Sequence, residues 1–200
     1  MNVFVTSEFP AESAIVLPDK HIVKMPLECC QMLSIVASKW YHNYGPLLKA
    51  DNTPYSTEKG AFRNHPCTKW AADSIHNAYW LIKHGMNLCD EYTLRYGKVH
   101  SCYKTLVDAY YLFPRGKINK VENFVRAMPD EFKLDTSIDT FEAYKRYISS
   151  KTWVKDNYLR MPQRRRMGSI GRALTLFCLK DCCLSPNFGL HLIIFICEKL

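Results

Sequence analysis

The chain has 200 residues, of which 48% are hydrophobic and 13% aromatic, and its formal net charge is +8. This composition is sufficient to bury a core, so it excludes a chain that is disordered over most of its length. The positive charge favours an anionic partner such as nucleic acid, because each lysine or arginine that meets a phosphate releases counterions. A merely basic protein without such a partner is the alternative.

The cysteines and the apolar runs indicate the compartment. The opening MNVFVTSEFP has no basic region followed by a long apolar run, so it is not typical of a secretory signal. The longest apolar run, residues 190–197, is shorter than the ~20 residues that span a bilayer. We therefore expect a cytoplasmic protein with no membrane association. Its nine cysteines lack zinc-like spacing, so we expect reduced, buried thiols, no metal site and no cofactor.

The predicted elements begin with a short strand over residues 3–5 and a helix that starts near residue 11. A longer helix should follow with Asp19 as its N-cap and run to about residue 42, with a kink or break at Pro26. Residues 43–64 contain two glycines and two prolines, which predicts a loop.

Asn64 is the predicted N-cap of the next helix, which has Pro66 in its first turn and should run to about residue 83. Gly85 separates it from a further helix over residues 86–112. The chain should continue with a loop at residues 114–119, a short segment at 120–126 and a second connection at 127–139. Asp139 should open a last helix that ends near residue 147 or, after SSKT, near residue 158.

No long span alternates with period two, so the sequence predicts a mainly α fold. We expect a small single-domain helical bundle, with a short N-terminal strand at most. The composition changes after RRRMG, where charged residues become scarce and an apolar, cysteine-rich stretch begins. We therefore place a helical domain at residues 1–166 and a hydrophobic appendage at residues 167–200.

One stripe of the long helix could carry chemistry. His21, Lys24, Glu28 and Gln31 are spaced by three, four and three residues, which puts them on one helix face. Glu28 lies between Leu27 and two cysteines, and partial burial would suit its carboxylate to acid–base work. A solvated face with a Lys24–Glu28 ion pair is the alternative interpretation.

Three other stretches could bind nucleic acid. Arg63, Asn64 and His65 lead directly into a helix start, where backbone N–H groups favour an anion. Residues 90–104 place Arg95 and Lys98 among tyrosines, and residues 144–166 combine eight lysines or arginines with three tyrosines and Trp153. Aromatic faces can stack on bases while the cations contact phosphates. Ordinary solvated helices are the alternative in each case.

These motifs, in this order, resemble the phage-type pyrimidine-dimer DNA glycosylases. Asp19, His21 and Glu28 stand at the offsets of that family's Asp-x-His and catalytic Glu. The Asn-His-Pro at residues 64–66 is followed some thirty residues later by the Arg-Tyr-Gly at 95–97, as in the family. An aromatic and basic C-terminal part, here around Trp153, is also shared. The resemblance covers roughly residues 1–160, and it implies that the cytoplasm is that of a bacterial cell or a phage-infected host.

The resemblance implies a DNA-processing enzyme that reaches a damaged or modified pyrimidine by flipping a nucleotide or bending the duplex. It implies that an N-terminal α-amine attacks the sugar C1′ and that Glu28 stabilises the cationic sugar. His21 would position DNA or share a proton, and Arg63 and His65 would hold the backbone. The implied DNA contacts are Lys24, Arg63, Asn64, His65, Arg95, Lys98 and Trp153.

Two positions depart from the family pattern. The family nucleophile is a small second residue, whereas Asn2 usually hinders removal of Met1, so the α-amine would belong to Met1. Leu27 stands where the family typically has an arginine. Two alternatives therefore stay open: Glu28 activates water in a hydrolytic glycosylase, or Lys24 supplies the amine. Two other classes of function remain open: a non-catalytic nucleic-acid-binding accessory protein, and an interaction module that docks through residues 172–200.

Overall fold

The computed structural model describes residues 1–114, 121 and 123–165, and these form a helical fold. The predicted loop at 114–119 lies outside the described residues except for residue 114, and the predicted appendage at 167–200 lies wholly outside them. The predicted piece at 120–126 is described at residues 121 and 123–126, which form no helix or strand. The α-helices of the described part are α1 (Pro10–Ile15), α2 (Asp19–Ala37), α3 (Pro66–Asp73), α4 (Ile75–Tyr96), α5 (Tyr103–Leu112), α6 (Asp130–Lys133) and α7 (Thr140–Ser149). Short 3₁₀ helices cover Ser56–Lys59 and Thr152–Asp156.

The mainly α fold class is confirmed, but the N-terminal strand is wrong. Within the described residues there is no strand, and a single antiparallel bridge joins Leu48 to Pro54. Phe4 has a φ of 53°, which interrupts the extended conformation that a strand requires. Val3 and Val5 are nevertheless buried, because the segment packs into the core between helices instead of pairing with another strand.

The long helix α2 is shorter than predicted. It begins at Asp19, continues through Pro26 without a break and ends at Ala37, so the expected extension to residue 42 is wrong. Asp19 is not the N-cap, because Pro18 holds that position and makes no side-chain cap. The Asp19 carboxylate instead accepts hydrogen bonds from Arg95 Nη1 at 2.9 Å and from the Arg160 backbone N–H at 3.2 Å.

The boundaries of α3, α4 and α5 also differ from the prediction. The expected helix 66–83 divides at Ser74, which is extended and caps α4 by accepting from the Asn77 N–H at 3.2 Å. Gly85 does not end a helix: a Cβ there would lie 2.7 Å from Leu106 Cδ2, so it permits close packing of α4 on α5. The expected helix 86–112 is interrupted because α4 stops at Gly97, whose φ is 68°.

Helix α4 occupies the centre of the bundle, where it packs against α1, α2, α3 and α5. The cysteines of the described part, at positions 29, 30, 67, 89 and 102, are buried free thiols, as the sequence predicted. Asp139 caps α7 by accepting from the Glu142 N–H at 2.7 Å, also as predicted. In the part of the chain that the structure covers, no helix is both long and apolar enough to cross a membrane.

A buried guanidinium joins three helices at one end of the bundle. The Arg95 side chain is 0% exposed and donates to Glu91 Oε1 at 3.0 Å and to Asp19 Oδ1 at 2.9 Å. It also donates to the carbonyls of Leu17 and Ile15, at 2.8 and 3.0 Å. The C-terminal end of α4 is thereby fixed to the junction between α1 and α2.

We expect Arg95→Ala to lower the free energy of unfolding by about 3 kcal/mol, because it leaves two buried carboxylates without this partner. Urea unfolding followed by circular dichroism measures the change. Arg146→Ala is the matched control, since its ion pair with Glu142 is solvent-exposed and such pairs contribute at most about 1 kcal/mol. Equal losses in the two variants would contradict the structural role of Arg95.

Candidate active site

The Glu28 carboxylate is buried beside the start of the chain. The residue is 7% exposed, although it lies on the same helix stripe as the exposed Lys24. Its Oε2 accepts from the Asn2 backbone N–H at 2.8 Å and lies 3.8 Å from the Met1 terminal nitrogen. Its Oε1 lies 3.2 Å from Lys24 Nζ. A buried carboxylate is costly unless it is paired and hydrogen-bonded, and here both oxygens have partners.

The N-terminal segment turns so that its main chain faces Glu28. Asn2 Oδ1 accepts from the N–H groups of Val3 and Phe4, at 2.8 and 3.2 Å, and Asn2 Nδ2 donates to the Ala127 carbonyl at 2.6 Å. The Met1 side chain is only 2% exposed, while the residue as a whole is partly exposed. The accessible surface of Met1 therefore lies on its main-chain atoms, which include the terminal nitrogen.

His21 lies two turns before Glu28 and is enclosed by aromatic rings. Its imidazole stacks on Phe4 with ring centroids 4.1 Å apart and meets the Trp153 ring edge-on at 5.4 Å. Burial, with smaller effects from the positive charges of Lys151 and Lys24, lowers the pKa of His21 to about 3. The imidazole is therefore neutral near pH 7. Its buried Nδ1 has no hydrogen-bond partner among the residues described.

His65, rather than Asn64, caps α3. Its Nδ1 accepts from the Cys67 N–H at 3.2 Å, so the prediction that Asn64 is the cap is wrong. Burial lowers the pKa of His65, the Met1 ammonium lowers it further, and the negative charge of Glu28 opposes both. His65 therefore lies close enough to the Met1–Glu28 pair to sense both charges, and the Asn-His-Pro turn borders the same site.

The other predicted contacts occupy different environments. Arg63 is exposed, with its guanidinium 4.2 Å from the centroid of the Trp40 ring. Lys24 is exposed at the edge of the site and Lys98 is exposed in the turn after α4. The Trp153 ring is half-buried against His21, and Lys20 Nζ lies over it, 5.0 Å from the ring centroid. Arg95, in contrast, is enclosed by its internal acceptors and is unsuited to a phosphate.

Sequence patterns gave no role to Phe4 or to the side chain of Asn2. Phe4 supports His21 from a left-handed backbone conformation, and no spacing or composition signal indicates such a residue. Among the described residues, no group of three or more His, Cys, Asp or Glu side chains is arranged to hold a metal ion. The chemistry available is that of a carboxylate, an amine and a neutral imidazole.

Comparison with known proteins identifies the family of the chain. The family model for pyrimidine dimer DNA glycosylases matches residues 1–104, which include the N-terminal segment, Glu28 and the Asn-His-Pro turn. Neither the curated proteins nor the solved structures gave a match. Since the family model spans more than half of the 200 residues, the chain belongs to the pyrimidine dimer DNA glycosylase family.

Proposed function

We propose that this protein is a DNA glycosylase that removes damaged or modified pyrimidines from duplex DNA, with Glu28 and the Met1 α-amine as its catalytic pair. The observation that carries the proposal is the buried Glu28 carboxylate, which faces the terminal nitrogen at 3.8 Å. A carboxylate in a water-poor site stabilises developing positive charge more strongly than one in bulk water. Family membership supports the same class of reaction.

In the proposed reaction the uncharged α-amine attacks C1′ of the extruded nucleotide. The C1′–N glycosidic bond breaks, and its electron pair leaves with the base, which takes up a proton. Opening of the sugar ring then gives a protonated imine between Met1 and C1′, and water hydrolyses it to restore the amine. Glu28 stabilises the cationic sugar and carries protons between these steps.

Met1 is a better candidate for the amine than Lys24. The Lys24 side chain is 69% exposed and pairs with Glu28 Oε1 at 3.2 Å, so it is a solvated cation at the edge of the site. The Met1 nitrogen is held in place by the hydrogen bonds of Asn2 and by its own buried side chain. Such preorganisation lowers the entropic cost of reaching the sugar.

The proposed DNA contacts are the exposed or half-buried cations and the aromatic ring around this pair. Arg63, Asn64 and His65 would hold one stretch of phosphodiester backbone at the start of α3, where backbone N–H groups also favour an anion. Lys24, Lys98 and Trp153 would contact neighbouring parts of the duplex. We leave Arg95 out of this set, because its donors are used inside the protein.

We expect Glu28→Gln to slow base release by about 10²–10⁴-fold while DNA binding persists, as is usual when a positioned acid–base group is lost. The measurement is single-turnover base release from a duplex that carries a cyclobutane thymine dimer. Glu131→Gln, a change of the same type on exposed α6, should leave the rate unchanged. If Glu28→Gln altered only DNA affinity, a non-catalytic accessory protein would be the better interpretation.

We expect borohydride to trap a covalent protein–DNA adduct on the same duplex, with the modified peptide containing residue 1. Lys24→Gln should still form the adduct, whereas acetylation of the α-amine should abolish it. An adduct that maps to Lys24 would move the nucleophile to that side chain. Release of the nucleobase without any covalent adduct would instead favour Glu28 as a general base that activates water.

His21 should make the stability of the protein depend on pH. The pKa of His21 is about 3 in the folded chain and 6.5 in the unfolded chain. Below about pH 6.5 the unfolded chain therefore binds more protons than the folded chain, and the free energy of unfolding decreases as the pH is lowered. His84, whose pKa burial lowers to about 4, acts in the same direction.

Each of these two histidines should reduce the free energy of unfolding by roughly 1 kcal/mol between pH 6 and pH 5. Urea unfolding at the two pH values measures the loss. His21→Gln should make the loss smaller by about that amount, because one of the histidines whose pKa is lowered in the folded chain is then absent. An identical pH dependence in His21→Gln and in the unaltered protein would show that His21 is not buried in its neutral form.

A further inference from the structure

Tyr144 is a fully buried tyrosine of α7 whose hydroxyl serves a main-chain segment outside the helices. The residue is 0% exposed, and its hydroxyl donates to the Val125 carbonyl at 2.9 Å and accepts from the Ala127 N–H at 3.2 Å. Residues 123–129 form no helix or strand, so their N–H and C=O groups need partners of this kind. Burial raises the pKa of Tyr144 above its ordinary value, which keeps the hydroxyl protonated as a donor.

Ala127 connects this hydroxyl to the start of the chain. Its carbonyl accepts from Asn2 Nδ2 at 2.6 Å, while its N–H is the group that Tyr144 holds. One residue therefore receives its position from α7 and passes it to the N-terminal segment. Because Asn2 is buried, loss of the Ala127 carbonyl would leave an amide donor away from water.

Asn2 transmits this constraint to the proposed catalytic pair. Its N–H donates to Glu28 Oε2 at 2.8 Å, and the Met1 nitrogen, one residue earlier, lies 3.8 Å from the same oxygen. A shift of Asn2 would therefore change both distances. Since a misplacement of about 1 Å can cost about a hundredfold in rate, a hydroxyl three hydrogen bonds away from Glu28 can affect the chemistry.

We propose that Tyr144 is a positioning residue: through this chain of three hydrogen bonds, its hydroxyl fixes the Met1 nitrogen against Glu28. The proposal rests on the proposed glycosylase function. Tyr144 lies beyond residues 1–104, the part that the family model matches, so a segment outside that part completes the proposed site. The alternative is that the hydroxyl only satisfies the segment it binds and contributes to stability alone.

The first test compares Tyr144→Phe with Tyr79→Phe in the full chain. Both variants keep a buried ring and lose one hydroxyl, since the Tyr79 hydroxyl donates to the Phe113 carbonyl at 3.0 Å. Tyr144→Phe should slow single-turnover base release from the thymine-dimer duplex by about tenfold, while the Kd for that duplex changes less than about twofold. Tyr79→Phe should leave both values unchanged. Equal rates in the parent and Tyr144→Phe, or equal slowing in the two variants, would overturn the proposal.

A double-mutant cycle tests whether the effect passes through Asn2. Asn2→Asp keeps the Oδ1 acceptor but replaces the Nδ2 donor that binds Ala127. If Tyr144 acts through that donor, adding Tyr144→Phe to Asn2→Asp should slow base release by less than about twofold further. Slowing by the full factor of the single variant, which is expected of independent residues, would contradict this route. Intact mass spectrometry verifies that each protein retains Met1.

Hydrogen exchange of the Asn2 amide separates this proposal from the function on which it rests, because it needs no DNA. Exchange measured by ¹⁵N NMR should be about tenfold faster in Tyr144→Phe and unchanged in Tyr79→Phe, since the Tyr144 hydroxyl limits local opening of the Asn2–Glu28 hydrogen bond. If this difference is found but no protein releases a base, the positioning is supported and the glycosylase is refuted. If bases are released but exchange is equal in all three proteins, the glycosylase stands and the positioning is refuted.

Discussion

The hydrogen bond from the Asn2 N–H to Glu28 Oε2, 2.8 Å long and buried, fixes the start of the chain against the middle of α2. A carboxylate removed from water must be matched by donors, because leaving it unpaired costs several kcal/mol. The matching donors are the Asn2 amide, the Met1 ammonium and Lys24. The same pairing that satisfies the buried charge therefore sets the distance between the Glu28 carboxylate and the Met1 nitrogen, the proposed catalytic pair.

The rest of the fold keeps this pairing in place from two sides. On one side His84 Nε2 lies 3.1 Å from the Val3 carbonyl, which connects the N-terminal segment to the central helix α4. On the other, Asn2 Nδ2 donates to the Ala127 carbonyl, and the Ala127 N–H donates to the Tyr144 hydroxyl at 3.2 Å. The two hydrogen bonds made by the segment itself, with His84 and with Ala127, span 81 and 125 residues of sequence.

The sequence predicted the parts of this site that depend on local spacing. The helical stripe of His21 and Glu28 follows from residues within a few positions of each other, as does the cap at Asp139 outside the site. Contacts between segments that are distant in sequence could not be predicted from local spacing. Spacing alone pairs Arg95 with Glu91, whereas burial of Arg95 depends on the carbonyls of Leu17 and Ile15, more than seventy residues away. Glycine commonly ends a helix, so Gly85 suggested a helix end. Its actual role depends on Leu106 of α5, a contact that local sequence does not indicate.

Asn2 departs from the family pattern, and the residue before it, Met1, is packed against the core. A small residue at position 2 suits a chain whose second residue carries the amine, but here the Asn2 nitrogen is the amide that binds Glu28 and its side chain shapes the turn. The Met1 side chain is buried against the core, so its loss would leave a cavity and remove dispersion contacts. In the proposed enzyme Met1 carries the amine, and the segment combines a polar second residue that turns it with an apolar first residue that packs against the core. Asn2 and Met1 supply these two properties together.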